Sequence, residues 1–148
     1  NIETVSLRYF NVYGERQILG GAYSTVIGIF IDQFNKGLPL TINGDGSQRR
    51  DFTYVGDVVK ANLLASESQN VGNGEVINIG SGINLSVNDV AKLIGENKVY
   101  RDPVKEPKET LADISKAKSL LNWSPEVRLE EWIIGYKKKI GLKWVKKY

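Results

Sequence analysis

A chain of 148 residues with 41% apolar and 25% charged side chains is of single-domain size, enough for one buried core, and contains no apolar run long enough to span a bilayer. With no cysteine it can hold no disulfide, thiolate nucleophile or Cys-ligated metal, and with no histidine it lacks the commonest general base and metal ligand. The net charge of +3 is dominated by Lys137, Lys138, Lys139, Lys143, Lys146 and Lys147, a cluster that reads as a solvated helix face with no aromatic platform or reader motif for nucleic acid.

Thr4 to Gly14 opens with β-branched and aromatic residues and ends at a glycine, so it reads as a buried strand leading into a loop that runs to Gly21. From Ser24 a helix is expected with Ile27, Phe30, Ile31 and Phe34 on its apolar face, stopping near Gly37 before Pro39. Leu40 to Asn43 is a short strand. It enters the turn Asn43-Gly44-Asp45-Gly46-Ser47-Gln48-Arg49-Arg50, which presents two adjacent arginines. Such a turn can grip an anion, and a hairpin with a solvated basic bend is the plainer alternative. Asp51 to Val55 is extended, and Asp57 is placed to cap a helix with Val59, Leu63 and Leu64 on its inner side.

Glu75 to Gly80 reads as another strand, ending in Gly80-Ser81-Gly82. Ser86 with Asp89 three residues on forms a capping box ahead of the stripe Val87, Val90, Ala91, Ile94. Lys98 to Arg101 is a short strand, and the two prolines between Asp102 and Lys108 require loop. A helix from Asp113 turns Ile114, Ala117 and Leu121 inward. The last helix aligns Leu129, Trp132, Ile133, Tyr136 and Ile140, leaving Glu130 and Glu131 outward. Strands alternating with helices, with no repeat or linker, argue for an α/β fold with a parallel pair of strands.

Catalytic groups are scarce. Gly80-Ser81-Gly82 is followed by Leu85 where a GxGxxG fingerprint needs glycine, and there is no P-loop. No tyrosine is followed four residues on by lysine, the pair that lowers a tyrosine's pKa for proton transfer. What remains is a set of polar residues at strand ends and helix starts, where ligands gather in open α/β sheets: Asn11, Ser24, Thr25, Thr41, Asn43 and Arg50. They suggest a pocket for a phosphorylated, hydrogen-bonding ligand, although each alone is also a common turn former, cap or surface charge. The chain has no methionine and no basic-then-apolar leader, so a piece of a longer protein in a cytoplasmic setting is expected.

Leu7-Arg8-Tyr9-Phe10-Asn11-Val12-Tyr13-Gly14, Asn43-Gly44-Asp45-Gly46, Arg50-Asp51-Phe52-Thr53-Tyr54-Val55-Gly56-Asp57-Val58, Ile77-Asn78-Ile79-Gly80-Ser81-Gly82 and Leu111-Ala112-Asp113-Ile114-Ser115-Lys116-Ala117 follow one another in order. Together they resemble the C-terminal half of extended short-chain dehydrogenase/reductases of the NAD-dependent epimerase/dehydratase family. Gly21-Ala22-Tyr23-Ser24-Thr25-Val26-Ile27 is most similar to UDP-glucose and UDP-N-acetylglucosamine 4-epimerases.

The resemblance implies that residues 1–148 carry the last strands of an NAD(P)-binding Rossmann fold, at 4–11 and 75–80, and a small α/β substrate-binding domain. The Gly-rich loop, a Ser/Thr and the Tyr-x-x-x-Lys pair would belong to an absent N-terminal half. In that family hydride leaves C4 of the sugar for NAD, the 4-keto intermediate rotates, and hydride returns to the other face. By resemblance Phe10 lies near the nicotinamide and Asn11 contacts the sugar or pyrophosphate. Thr25 and Val26 meet the diphosphate-sugar, Thr41 and Asn43 line the uracil pocket, and Arg50 binds the diphosphate. A second arginine that the family often carries is missing; Lys105 stands nearby as a point charge, and Glu106 keeps the acidic role at the ribose hydroxyls.

The resulting expectation is the nucleotide-sugar-binding part of a UDP-sugar 4-epimerase, inactive alone, whose parent is a homodimer that uses NAD and engages no nucleic acid or membrane. A nucleotide-sugar 4,6-dehydratase and a non-catalytic interaction module are the alternatives. The unpaired edge of the first strand predicts self-association when the other half is missing.

Overall fold

The computed structural model describes residues 2–19 and 24–139, which in chain order form β1 (Thr4–Tyr9), β2 (Val12–Tyr13), α1 (Val26–Asn35), β3 (Leu40–Asn43), β4 (Arg49–Asp51), β5 (Thr53–Tyr54), α2 (Val55–Glu67), β6 (Asn73–Ile79), β7 (Asn84–Ser86), α3 (Val87–Ile94), β8 (Lys98–Arg101), α4 (Ser115–Leu121) and α5 (Leu129–Lys139). Gly21, Ala22 and Tyr23 of the resemblance, Ile140 of the last stripe, and Lys143, Lys146 and Lys147 lie outside the described residues.

Two cores form, where chain length alone asked for one. β1 and β6 pair in parallel, with Leu7 opposite Ile77. One face of that pair is covered by α2 and α4, burying Val58, Ala61, Ile77, Ile79, Ala117 and Trp123. The second core gathers α1, β3, α3 and α5 around Ile27, Phe30, Leu40, Ile42, Val90 and Trp132. The chain passes between the cores at short strands, and polar groups collect there.

Several elements depart from expectation for physical reasons. The first strand breaks at Asn11, whose φ of 32° is a left-handed conformation that asparagine tolerates better than most residues. The Asn43–Arg50 segment is not a hairpin. β3 pairs in parallel with β8, and β4 pairs antiparallel with β7, so Gly44 (φ 64°) and Gly46 (φ 72°) redirect the chain from one ladder to another.

α2 begins at Val55, with Tyr54 at its N-cap, so Asp57 lies inside the first turn. Its Oδ2 instead accepts the backbone N–H groups of Glu126 and Val127, each at 3.1 Å. The earlier start turns Val58, Ala61 and Ala65 inward and leaves Val59 and Leu63 54% and 59% exposed. The capping box at Ser86 and Asp89 and the stripe behind it form as expected. α4 starts at Ser115, with Asp113 Oδ1 accepting the Ser115 N–H at 2.9 Å. In α5, Glu131 is exposed and Glu130 half-buried.

Lys137 is no part of a solvated face. It is 6% exposed, and its Nζ donates to the carbonyls of Leu93 and Ile94 at 2.6 and 2.8 Å. The ammonium thus serves the C-terminal carbonyls of α3, where helix geometry leaves acceptors open.

Tyr13 is buried in the second core, with its Oη donating to the Val127 carbonyl at 3.3 Å. Burial, and then the nearby Asp57 carboxylate, push its ionisation well above the ordinary tyrosine range. The folded chain therefore keeps this proton at pH values where the unfolded chain, with a pKa of about 10, has lost it. Stability contributed by Tyr13 is present below pH ~10 and falls as pH rises beyond it. Tyr13→Phe is expected to flatten the alkaline decline, read as urea midpoints at mildly and strongly alkaline pH. An unchanged decline would remove Tyr13 as its source.

Candidate functional site

Asp51 organises the site from beneath. It ends β4, is 0% exposed, and its two carboxylate oxygens are saturated. Oδ1 accepts the backbone N–H and the hydroxyl of Ser81 at 2.6 and 2.7 Å. Oδ2 accepts the backbone N–H groups of Gly82 and Ala112 at 3.0 and 3.1 Å. Its carbonyl takes the Asn11 Nδ2–H at 2.7 Å. One buried residue thus ties the Gly80-Ser81-Gly82 turn, the segment before α4 and the kink after β1 to the strand carrying Arg50. Burying the charge is tolerable because several donors replace water.

Between the neighbours of Asp51 in sequence, Arg50 and Phe52, and residues from five other parts of the chain lies a cleft of about 230 Å³, lined among others by Asn11, Thr25, Val26, Thr41, Asn43, Arg50 and Glu106. Seven residues selected from the sequence are therefore brought together. Ile29, Phe30, Phe52 and Val87 add an apolar wall, and Gln48 adds an amide, none of them singled out beforehand. Phe30 and Val87 were expected on apolar helix faces, and no local pattern marks which apolar residue borders a void.

Each polar group has a definite support. Thr25 is the N-cap of α1, its Oγ1 accepting the Gly28 N–H at 3.3 Å, and with Val26 it lines the cleft, so the start of the helix borders it. Arg50 Nη1 donates to the Arg49 carbonyl at 2.8 Å, and Nη2 to Glu106 Oε2 at 2.5 Å. The Arg50 side chain is only 12% exposed, so the guanidinium is held at the wall. Gln48 Nε2 bridges the Asn43 carbonyl at 3.0 Å and Glu106 Oε1 at 3.2 Å.

Arg49, whose side chain is 42% exposed, does not share the cleft wall with Arg50. Successive side chains of a strand point to opposite faces. Arg49 accordingly turns away and donates to Asn84 Oδ1 at 2.8 Å and the Asn84 carbonyl at 2.7 Å. Lys105 is exposed and lines none of the clefts described, so the geometry gives it no part beside Arg50. Phe10 is half-buried at the carboxyl end of β1, outside the cleft lining, where its N–H donates to the Ile79 carbonyl at 3.1 Å. Its ring offers an apolar face and no hydrogen-bonding group, which fits one wall of a nicotinamide site and not its phosphate cradle.

A second cleft, of about 450 Å³, lies beside Phe52, Leu85 and Leu129 with Glu126, Glu130 and Glu131 at its border, and it contains none of the sequence-selected polar residues. Among the described residues no cluster of acidic or other ligating side chains could hold a metal ion, and no helix is long and apolar enough to cross a membrane.

Comparison with known proteins places this architecture. UDP-glucuronate 4-epimerase of Thermodesulfobacterium geofontis is 39% identical over 134 residues, covering 84% of this chain and 39% of that protein. The crystal structure of UDP-glucose 4-epimerase from Thermotoga maritima with UDP-glucose superposes with a TM-score of 0.83 at 40% identity, over 93% of this chain and 47% of that one. UDP-glucuronic acid 4-epimerase from Bacillus cereus, in complex with UDP-glucuronic acid and NAD, gives a TM-score of 0.76 at 39% identity, over 92% and 45%. The chain spans less than half the length of each, and its α/β fold with parallel strands matches the C-terminal part of Rossmann-fold epimerase structures. Residues 1–80 match the NAD dependent epimerase/dehydratase family, and the chain belongs to that family.

Proposed function

We propose that this chain is the nucleotide-sugar-binding part of an NAD-dependent UDP-sugar 4-epimerase, with UDP-glucose or UDP-N-acetylglucosamine as substrate. The observation that carries this reading is the convergence of Asn11, Thr25, Val26, Thr41, Asn43, Arg50 and Glu106 on one cleft. Arg50 has N–H donors beyond those given to Arg49 and Glu106, and a guanidinium held at a wall suits a diphosphate. The open first turn of α1 adds positive potential nearby. Asn11, fixed through its Nδ2 to Asp51, turns its remaining amide capacity toward the sugar side.

NAD, when bound, supplies the acceptor and donor for the hydride at the sugar carbon, and Phe10 would stand against its nicotinamide. Its phosphates, and the proton transfers of the reaction, would be served by a preceding Rossmann half with a Gly-rich loop and a Tyr-x-x-x-Lys pair. The intact enzyme is a cytoplasmic homodimer in this reading, and the chain alone binds without turning over. Incubating it with UDP-glucose and NAD is expected to yield no UDP-galactose; clear turnover would overturn the assignment of the chemistry to another segment.

A further inference from the structure

The larger cleft, at the start of α5, has a floor of Phe52, Leu85, Val127 and Leu129. Its border carries the carboxylates of Glu126, Glu130 and Glu131 against one cation, Arg128. Glu126 is paired with Lys60, but among the described residues neither Glu130 nor Glu131 has an ion-pair partner. An apolar floor inside an anionic border fits a segment that interleaves apolar and cationic side chains.

The sequence supplies such a segment. Beyond Lys139 it runs Ile140-Gly141-Leu142-Lys143-Trp144-Val145-Lys146-Lys147-Tyr148, with three lysines among apolar and aromatic residues and no acid. The 11 residues of α5 span about 16 Å, whereas nine extended residues reach about 30 Å. The segment is therefore long enough to return from the end of α5 to the cleft at its start. Between them lies an uncovered track. Glu131, Ile134, Gly135 and Lys138 are exposed at helical spacing and so share one side of α5. Ile134 is 54% exposed, and a Cβ added at Gly135 would meet nothing within 4 Å.

We infer that the last nine residues dock back along α5 into this cleft of their own chain, with Trp144 on the apolar floor and Lys143 and Lys146 against Glu130 and Glu131. Ile134 is covered on the way. Tethering sets the local concentration of the segment at about millimolar, so contacts too weak to hold a free peptide suffice. Nothing in this contact depends on what the nucleotide cleft receives.

Acrylamide quenching of tryptophan emission in the full chain tests the docking, with melting curves recorded for each form. Trp123 and Trp132 are 0% and 7% exposed, so a readily quenched tryptophan reports Trp144. In the unaltered chain no readily quenched component is expected. Glu130→Lys with Glu131→Lys should release one, about a third of the emission for one tryptophan of three. Adding Lys143→Glu and Lys146→Glu should suppress it again, a rescue that a merely destabilised helix would not give. Trp144→Ala provides a second reading, and decides the matter if the charge reversal prevents folding: amide signals should move at Ile83, Leu85, Val127 and Leu129. A readily quenched tryptophan in the unaltered chain, or protection indifferent to the charge reversal, would overturn the inference. So would protection that appears only as the chain concentration is raised, or Trp144→Ala shifts that lie elsewhere.

Discussion

Asp51→Ala is expected to destabilise the chain by about 4 kcal/mol, a large share of the ~5–15 kcal/mol that holds a small domain folded. The substitution leaves the N–H groups of Ser81, Gly82 and Ala112 without their charged acceptor, that of Ala112 in a buried setting and the other two in a half-buried one. A Cβ at Gly80 would lie 2.2 Å from the Ala112 Cβ and 2.9 Å from Asp51 Oδ2, which shows how closely the two segments approach. Each orphaned buried donor costs ~1–3 kcal/mol, and bonds to a charged acceptor stand at the upper end. Asp51→Asn keeps one carbonyl but sets its NH₂ against the remaining donors, so a loss of ~2–3 kcal/mol is expected. Urea unfolding monitored by tryptophan fluorescence measures both. A loss under ~1 kcal/mol for Asp51→Ala would mean that this junction is supported by other contacts.

The second large effect is on binding. Arg50→Ala is expected to weaken UDP affinity by at least tenfold, since charge-assisted contacts from a guanidinium held at a wall are worth ~1.5–3 kcal/mol. Uridine, with no phosphate, should bind the variant about as well as the unaltered chain. The effect on folding should be smaller. The substitution frees Glu106, whose side chain is 34% exposed and can be hydrated, so only a modest stability loss accompanies it. Calorimetric titration with UDP and uridine separates the two contributions. A variant that binds UDP as tightly as the parent would remove Arg50 from the diphosphate site.

What could be read from the sequence follows the range of the interactions. The Ser86–Asp89 capping box and the stripe of α3 are local, with partners within one or two turns, and they stand where the pattern puts them. Alternating strands and helices argue for a parallel pair of strands; that the Leu7 and Val76 strands form it is what the family resemblance implies, and β1 and β6 pair in that way. The elements that deviate are those settled by distant partners. Asp51 gives no local sign of its role because its hydrogen-bond partners lie 30 to 61 residues away. Lys137 looks like one more lysine of a basic run until α3 is seen to end against it. The inner face of α2 shifts because Asp57 is occupied by the backbone of Glu126 and Val127 and does not cap.

For the site, alternation along β4 would separate Arg49 from Arg50, but only once the strand is known to start at Arg49. Glu106 is placed by pairing with Arg50, whereas Lys105, one residue earlier on an exposed loop, is turned away.

The cleft lined by Arg50, and not the larger one bordered by Glu130 and Glu131, is the proposed seat of the nucleotide diphosphate. Amide chemical shifts of the isotope-labelled chain during titration with UDP test it most directly. Saturable shifts with a common midpoint are expected at Val26, Thr41, Asn43, Gln48 and Arg50, much smaller with uridine at Arg50 and Val26. Shifts centred on Leu85, Val127 and Glu130, or no saturable shift at all, would contradict it.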